Sequence, residues 1–147
     1  MKKEVHMKSR RMITLILLVV LIPWGTLSSA YGQEKPKPEQ VAMTIARLVV
    51  GTGVEKGEPV GVSDKFPATQ EKVYCFLEAI NIPKDIEISF VWIHGQKELL
   101  KTTLPIKMGS KWRTYAHKNL RGLKGDWKVE IKDANGNLIK DVQFKVE

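Results

Sequence analysis

The sequence predicts an all-β chain: an immunoglobulin-like antiparallel β-sandwich of about seven strands, preceded by a signal helix and a Pro-rich linker. Three observations lead to that class. Apolar and polar residues alternate with a period of two, most plainly in Trp127-Lys128-Val129-Glu130-Ile131-Lys132. Turn-forming residues recur about every 8–12 positions. The alternation of strand and helix patterns that marks a parallel α/β fold is missing.

Composition limits the alternatives. The chain has 147 residues, with 24 Lys+Arg, 16 Asp+Glu and one Cys. That length suits one folded domain. A single Cys excludes an internal disulfide framework and a multi-cysteine metal site. Residues 1–11 are basic, with Lys2, Lys3, Lys8, Arg10 and Arg11 against Glu4, and residues 12–22 are almost wholly apolar. Pro23 and Gly25 then discourage further helix before Ser28-Ser29-Ala30. A basic start, a short apolar core and a small-x-small end describe a signal peptide over residues 1–30, cut before Tyr31 or before Gln33. The alternative is an uncleaved inner-membrane anchor, since residues 12–30 are about long enough to cross a ~30 Å hydrocarbon layer. Loss of residues 1–30 leaves 19 basic and 15 acidic residues, so half of the net charge of +8 belongs to the leader. Only residues 107–128 then lean clearly positive. Without a basic stripe, and with export expected, nucleic acid is excluded as a partner.

The elements follow in order. Residues 31–41 contain Gln33-Glu34-Lys35-Pro36-Lys37-Pro38-Glu39-Gln40, a polar linker expected to be disordered and with nothing to bury. A β-sandwich domain is expected over residues 42–147. Residues 45–54 are β-branched and apolar, and residues 72–82 are nearly continuously apolar, as a central strand would be. Residues 41–47 have some helical character. Residues 86–94 alternate, with Ile88, Phe90 and Trp92 on one face; Trp92 is the candidate buried tryptophan of the sandwich. Gly95-Gln96 turns the chain into residues 98–108, and residues 111–118 form the next strand. Residues 127–132 and 138–146 pair through Asp133-Ala134-Asn135-Gly136, a turn that exploits the positive φ tolerated by Asn and Gly. Val142, Phe144 and Val146 face inward. Cys75, within Val73-Tyr74-Cys75-Phe76-Leu77, reads as a small buried thiol.

A family resemblance rests on Glu58-Pro59, Val73-Tyr74-Cys75-Phe76, Trp92, Trp112-Arg113-Thr114-Tyr115, Lys118, Gly125-Asp126-Trp127, Asp133, Gly136 and Phe144. In this spacing the chain resembles the bacterial domain-of-unknown-function family 2914 over about residues 46–147. The resemblance implies a domain behind an export signal or membrane segment, with no established activity. The family pattern carries a Ser soon after Trp-Arg-Thr where this chain has Ala116, so any ligand contact made by that hydroxyl would be absent here.

The segment richest in binding chemistry is Trp112-Arg113-Thr114-Tyr115-Ala116-His117-Lys118. In a strand, Arg113, Tyr115 and His117 share one face, and Trp112, Thr114, Ala116 and Lys118 the other. Aromatics beside arginine are typical of surfaces that hold proteins or sugars. The competing assignment places Trp112 in the core and pairs Arg113 with a carboxylate. The candidate partner-binding residues are therefore Arg113, Tyr115, His117 and Trp112, with no catalytic residue, no metal site and no cofactor. His94 and His117 are the two histidines outside the leader, too few for a zinc site without Cys support. Ser63, Ser89 and Ser110 lack a base in motif context, and Gly51-Thr52-Gly53 lacks the Lys-Ser/Thr of a phosphate loop. The expected function is that of a non-enzymatic exported domain, periplasmic or secreted, with a protein-binding or structural role in the cell envelope. Carbohydrate binding through surface aromatics such as Tyr115 is the alternative. Residues 45–54 and 138–146 are expected to lie near the ends of the fold, where an edge strand could pair with a partner.

Overall fold

A computed structural model of the chain describes residues 42–147. The signal helix, the anchor segment and the linker lie outside these residues. Ten strands follow: β1 (Thr44–Gly51), β2 (Gly53–Glu55), β3 (Glu58–Val60), β4 (Lys65–Phe66), β5 (Lys72–Ile82), β6 (Ile86–His94), β7 (Lys97–Ile106), β8 (Gly109–Asn119), β9 (Gly125–Asp133) and β10 (Leu138–Val146). Among the described residues there is no helix. Seven of the strands are long, and they fall on the seven segments the alternation predicts. β2, β3 and β4 are short additions between β1 and β5, and the helical character of residues 41–47 gives way to β1 from Thr44 onward.

The long strands form two sheets. One has the order β1-β5-β8, the other β4-β10-β9-β6-β7, and β2-β3 is a separate hairpin. All pairings are antiparallel except the short contact of β4 with β10. The inner faces carry one shared core. Val50, Cys75, Leu77 and Ala116 from the first sheet join Phe90, Trp92, Trp127, Val129 and Phe144 from the second. The expected sandwich is therefore present. With one cysteine, apolar burial between the layers replaces an inter-sheet disulfide, each fully buried large side chain contributing roughly 1.5–3 kcal/mol. Burial pushes the Cys75 thiol pKa well up, so it stays protonated and unreactive.

Three aromatic rings organise the core of the second sheet. Trp127 stacks on Phe144 at 5.8 Å between centroids, and Trp92 meets Phe144 edge-on at 6.4 Å. The two indoles differ in their polar atoms. Trp127 Nε1 donates to the Leu123 carbonyl at 3.0 Å, tying the β8–β9 connection to the start of β9. Trp92 Nε1 is buried with no acceptor among the described residues. The β9–β10 turn is held by Asp133, whose Oδ1 accepts from the backbone N–H groups of Asn135 and Asn137, both at 2.9 Å. Gly136 supplies the positive φ of 84° that this turn requires.

The unequal partners of the two indoles give a prediction. A buried donor without an acceptor costs about 1–3 kcal/mol, and Trp→Phe removes that cost only at position 92. Urea denaturation should show Trp127→Phe losing about 1 kcal/mol more stability than Trp92→Phe. Equal losses would contradict the hydrogen-bond assignment.

Candidate functional site

The outer face of the β1-β5-β8 sheet collects the residues with binding chemistry. Strand register places them in rows: Arg47, Glu78 and Arg113 in one, Val49, Phe76 and Tyr115 in the next, Gly51, Tyr74 and His117 in the third. Arg113, Tyr115 and His117 thus share the outer face, as the alternation requires. Trp112 points the other way, half-buried against the core at the sheet margin.

The first row is closed by Glu58, which reaches over from β3. Arg47 bonds Glu58 at 2.8 Å and lies 3.5 Å from Glu78; Arg113 bonds Glu58 at 2.7 Å and Glu78 at 2.6 Å. The four side chains form a ring in which each charge has two partners of opposite sign. Beneath it lies Phe76, only 1% exposed although it projects from the outer face, with the Arg47 guanidinium 5.0 Å from its ring centroid. This explains why residues 72–82 read as continuously apolar: β5 is covered on both faces at Phe76. The β2–β3 hairpin can sit this close because residue 51 is glycine; a Cβ there would strike the Val60 carbonyl oxygen.

The ring shifts its carboxylates. Hydrogen bonding from Arg47 holds Glu58 below the ordinary glutamate range, and hydrogen bonding from Arg113 does the same for Glu78. The Arg47 pKa rises, chiefly through its bond to Glu58. Glu78 is 8% exposed, shielded by the two arginines rather than sunk into the core.

The third row and Tyr115 remain open. Tyr115 is 47% exposed, His117 is exposed and Tyr74 is half-buried. Tyr74 lies between them, 5.9 Å from the Tyr115 ring and 5.6 Å from that of His117, tilted by 57° and 45°. The result is a small aromatic cluster with phenol and imidazole groups at the surface, next to the charged ring. Tyr74, Arg47, Glu58 and Glu78 were not among the residues predicted for the site. The alternation does place Tyr74 and Glu78 on one face of β5, but only cross-strand register brings them to Tyr115 and Arg113.

A second concavity, about 690 Å³, opens at one end of the sandwich between Pro83, Asp85, Ile86, Pro105 and the β9–β10 turn. Two of its three carboxylates are engaged, Asp85 with Lys107 and the Met108 N–H and Asp133 with its own turn; the third is Glu87. His94 is held by the Lys124 carbonyl at 2.8 Å and packs on Trp127. Among the described residues no group of three or more His, Cys, Asp or Glu side chains could hold a metal, and no helix is long and apolar enough to cross a membrane.

Residues 85–146 match the family DUF2914, described as protein of unknown function. The DUF2914 match takes in β6 to β10, and with them Trp112, Arg113, Tyr115 and His117. Residues 46–84, where the resemblance also drew on Glu58-Pro59 and Val73-Tyr74-Cys75-Phe76, lie outside the matched range. No curated protein matches the chain. Among solved structures, the β-glucosidase EmGH1 from Erythrobacter marinus aligns with a TM-score of 0.48 and 5% identity, over 72% of this chain and 15% of that one. The β-D-glucoside glucohydrolase from Trichoderma reesei aligns at 0.46 and 11%, over 74% and 19%. The β-glucosidase from Kluyveromyces marxianus aligns at 0.44 and 10%, over 71% and 14%. The chain therefore spans less than a fifth of the length of each of these proteins.

The depressed glutamates predict a pH dependence. Their pKa values are lower in the folded chain than in the unfolded one, so the ring's contribution is complete above the ordinary glutamate range and is lost as pH falls through the lowered values. Melting temperature should drop on acidification, and drop less steeply in the Glu58→Gln, Glu78→Gln double variant. Parallel curves for the two proteins would contradict a stabilising ring.

Proposed function

We propose that this protein is an exported, non-enzymatic β-sandwich that binds another protein of the cell envelope through the outer face of its β1-β5-β8 sheet. The observation that carries this reading is the aromatic cluster of exposed Tyr115 and His117 around half-buried Tyr74, beside the Arg47–Glu58–Arg113–Glu78 ring. Tyrosine and histidine present apolar bodies with polar tips, the chemistry that protein-binding surfaces concentrate. The neighbouring ring ties β1, β3, β5 and β8 together beside them. Export, to the periplasm or beyond, is inferred from the basic start, apolar core and small-x-small end of residues 1–30; an uncleaved leader would instead anchor the domain to the inner membrane. The non-enzymatic reading is supported by the engagement of the charged groups: Arg113 and both ring glutamates serve one another rather than a nucleophile.

Carbohydrate binding through Tyr115 is the second reading, supported by its exposure. The mutual tilt of the rings favours protein over sugar, because no flat stacking platform is formed.

The Tyr115→Ala, His117→Ala double variant separates these possibilities. Both side chains are exposed, so stability should stay within about 0.5 kcal/mol of wild type. Retention of the envelope partner in a crosslinked pull-down should be lost, and a glycan array should stay blank for both proteins. Retention unchanged in the variant would overturn the proposal, and glycan binding abolished by the variant would replace it with the carbohydrate reading. Arg113→Ala, by contrast, should lower the melting temperature, because it strips Glu78 of its shortest partner.

A further inference from the structure

The margins of the two sheets are protected to different degrees. β7 is interrupted by Pro105, which lacks an N–H, and by a bulge where Leu99 is left over between two register pairs. β1 has a bulge between Ile45 and Arg47, and past it the Val50 carbonyl accepts from the Ser63 N–H. β10 has a bulge between Leu138 and Lys140 and is met by β4 near its end. β8 has none of these devices. It pairs with β5 in one register from Lys72↔Asn119 to Ile82↔Gly109, contains no proline, and is the last strand of its sheet. Among the described residues no strand is hydrogen-bonded along its other side. A long, bulge-free, unpaired edge is a template for an added strand.

Its charge selects what can be added. β8 carries no carboxylate, and outside Arg113, whose charge Glu58 and Glu78 already meet, it carries Lys111, His117 and Lys118. A second β8 laid alongside would set cations against cations, which disfavours self-pairing. A strand bearing Asp or Glu would meet them with opposite charge. Lys111, Trp112 and Arg113 also line a shallow depression of about 420 Å³ at this margin. There an incoming side chain would meet the half-buried Trp112 indole at the strand margin, with Lys111 as the neighbouring cation outside the ring.

We infer that the free edge of β8 accepts an extended, acidic segment of another protein as an additional antiparallel or parallel strand. Main-chain hydrogen bonds supply the pairing, and the lysines and the Trp112 depression supply the preference. This rests on the protein-binding reading above and names the kind of partner and the part of the face it uses.

Two fluorescein-labelled probe peptides test it with the full-length chain: Glu-Val-Glu-Thr-Glu-Val-Glu-Thr and its Lys-for-Glu counterpart. Fluorescence anisotropy should show the acidic peptide binding at least about tenfold more tightly, a preference that falls with salt. Lys111→Glu with Lys118→Glu should reverse the order of the two peptides, and a second variant, Lys111→Gln with Lys118→Gln, should abolish the difference. Amide NMR shifts caused by the acidic peptide should concentrate on β8. Equal binding of both peptides, no binding of either, or a preference that survives charge reversal would overturn the inference. Shifts confined to β7, β1 or β10 would overturn the β8 assignment. The Tyr115→Ala, His117→Ala pull-down stands apart from these results: retention lost there while the peptides fail would leave the protein-binding reading in place without the acidic strand.

Discussion

Two arginines and two glutamates from four different strands close over Phe76, and the outer face of the three-stranded sheet is organised around that closure. Arg47 comes from β1, Glu58 from β3, Glu78 from β5 and Arg113 from β8. A single exposed ion pair is weak, because water screens it and two flexible side chains must be held still. Here each group is held by two partners, so the loss of order is shared across the ring. The β2–β3 hairpin is pinned down and Phe76 is covered, while Tyr115 and His117 on β8 stay open to solvent with the half-buried Tyr74 between them.

The core beneath does a different job. Apolar burial is non-directional, and it holds the two layers together without choosing which outer surface is functional. Direction comes from the few polar atoms that have assigned partners. Trp127 is oriented by the Leu123 carbonyl, and Asp133 gathers the β9–β10 turn around its carboxylate, whose pKa the surrounding N–H donors depress despite the opposing effect of burial. Cys75, buried on the middle strand of the three-stranded sheet, contributes only volume.

Much of this fold was legible in the sequence, because a sustained period of two has few physical outcomes. Trp127 to Lys132 and the turn after it could be read residue by residue, and Trp92 was identifiable as core from its alternation with Glu87, Ser89 and Val91. Val91 itself shows the limit: it lies on the outer face yet is buried, among longer side chains of neighbouring strands. β2, β3 and β4 were not legible, since strands of two or three residues carry no period. A different limit, strand register, hid half of the candidate site. Arg113, Tyr115 and His117 are neighbours along one strand and show in the sequence, whereas Glu58, Tyr74 and Glu78 reach them through register and through a hairpin folded over the sheet. Local sequence encodes which way a side chain points, but not which strand will lie beside it.

The organisation of this outer face therefore depends on the two arginines acting as one unit. Arg47 and Arg113 are on strands separated by β5, and residues so placed have additive effects unless they share partners. The direct measurement is a double-mutant cycle by thermal denaturation with Arg47→Ala, Arg113→Ala and the two together. Shared glutamates predict that the double variant departs clearly from the sum of the single losses. Strict additivity would show that the ring is four independent surface pairs and that the open aromatic face has no such support.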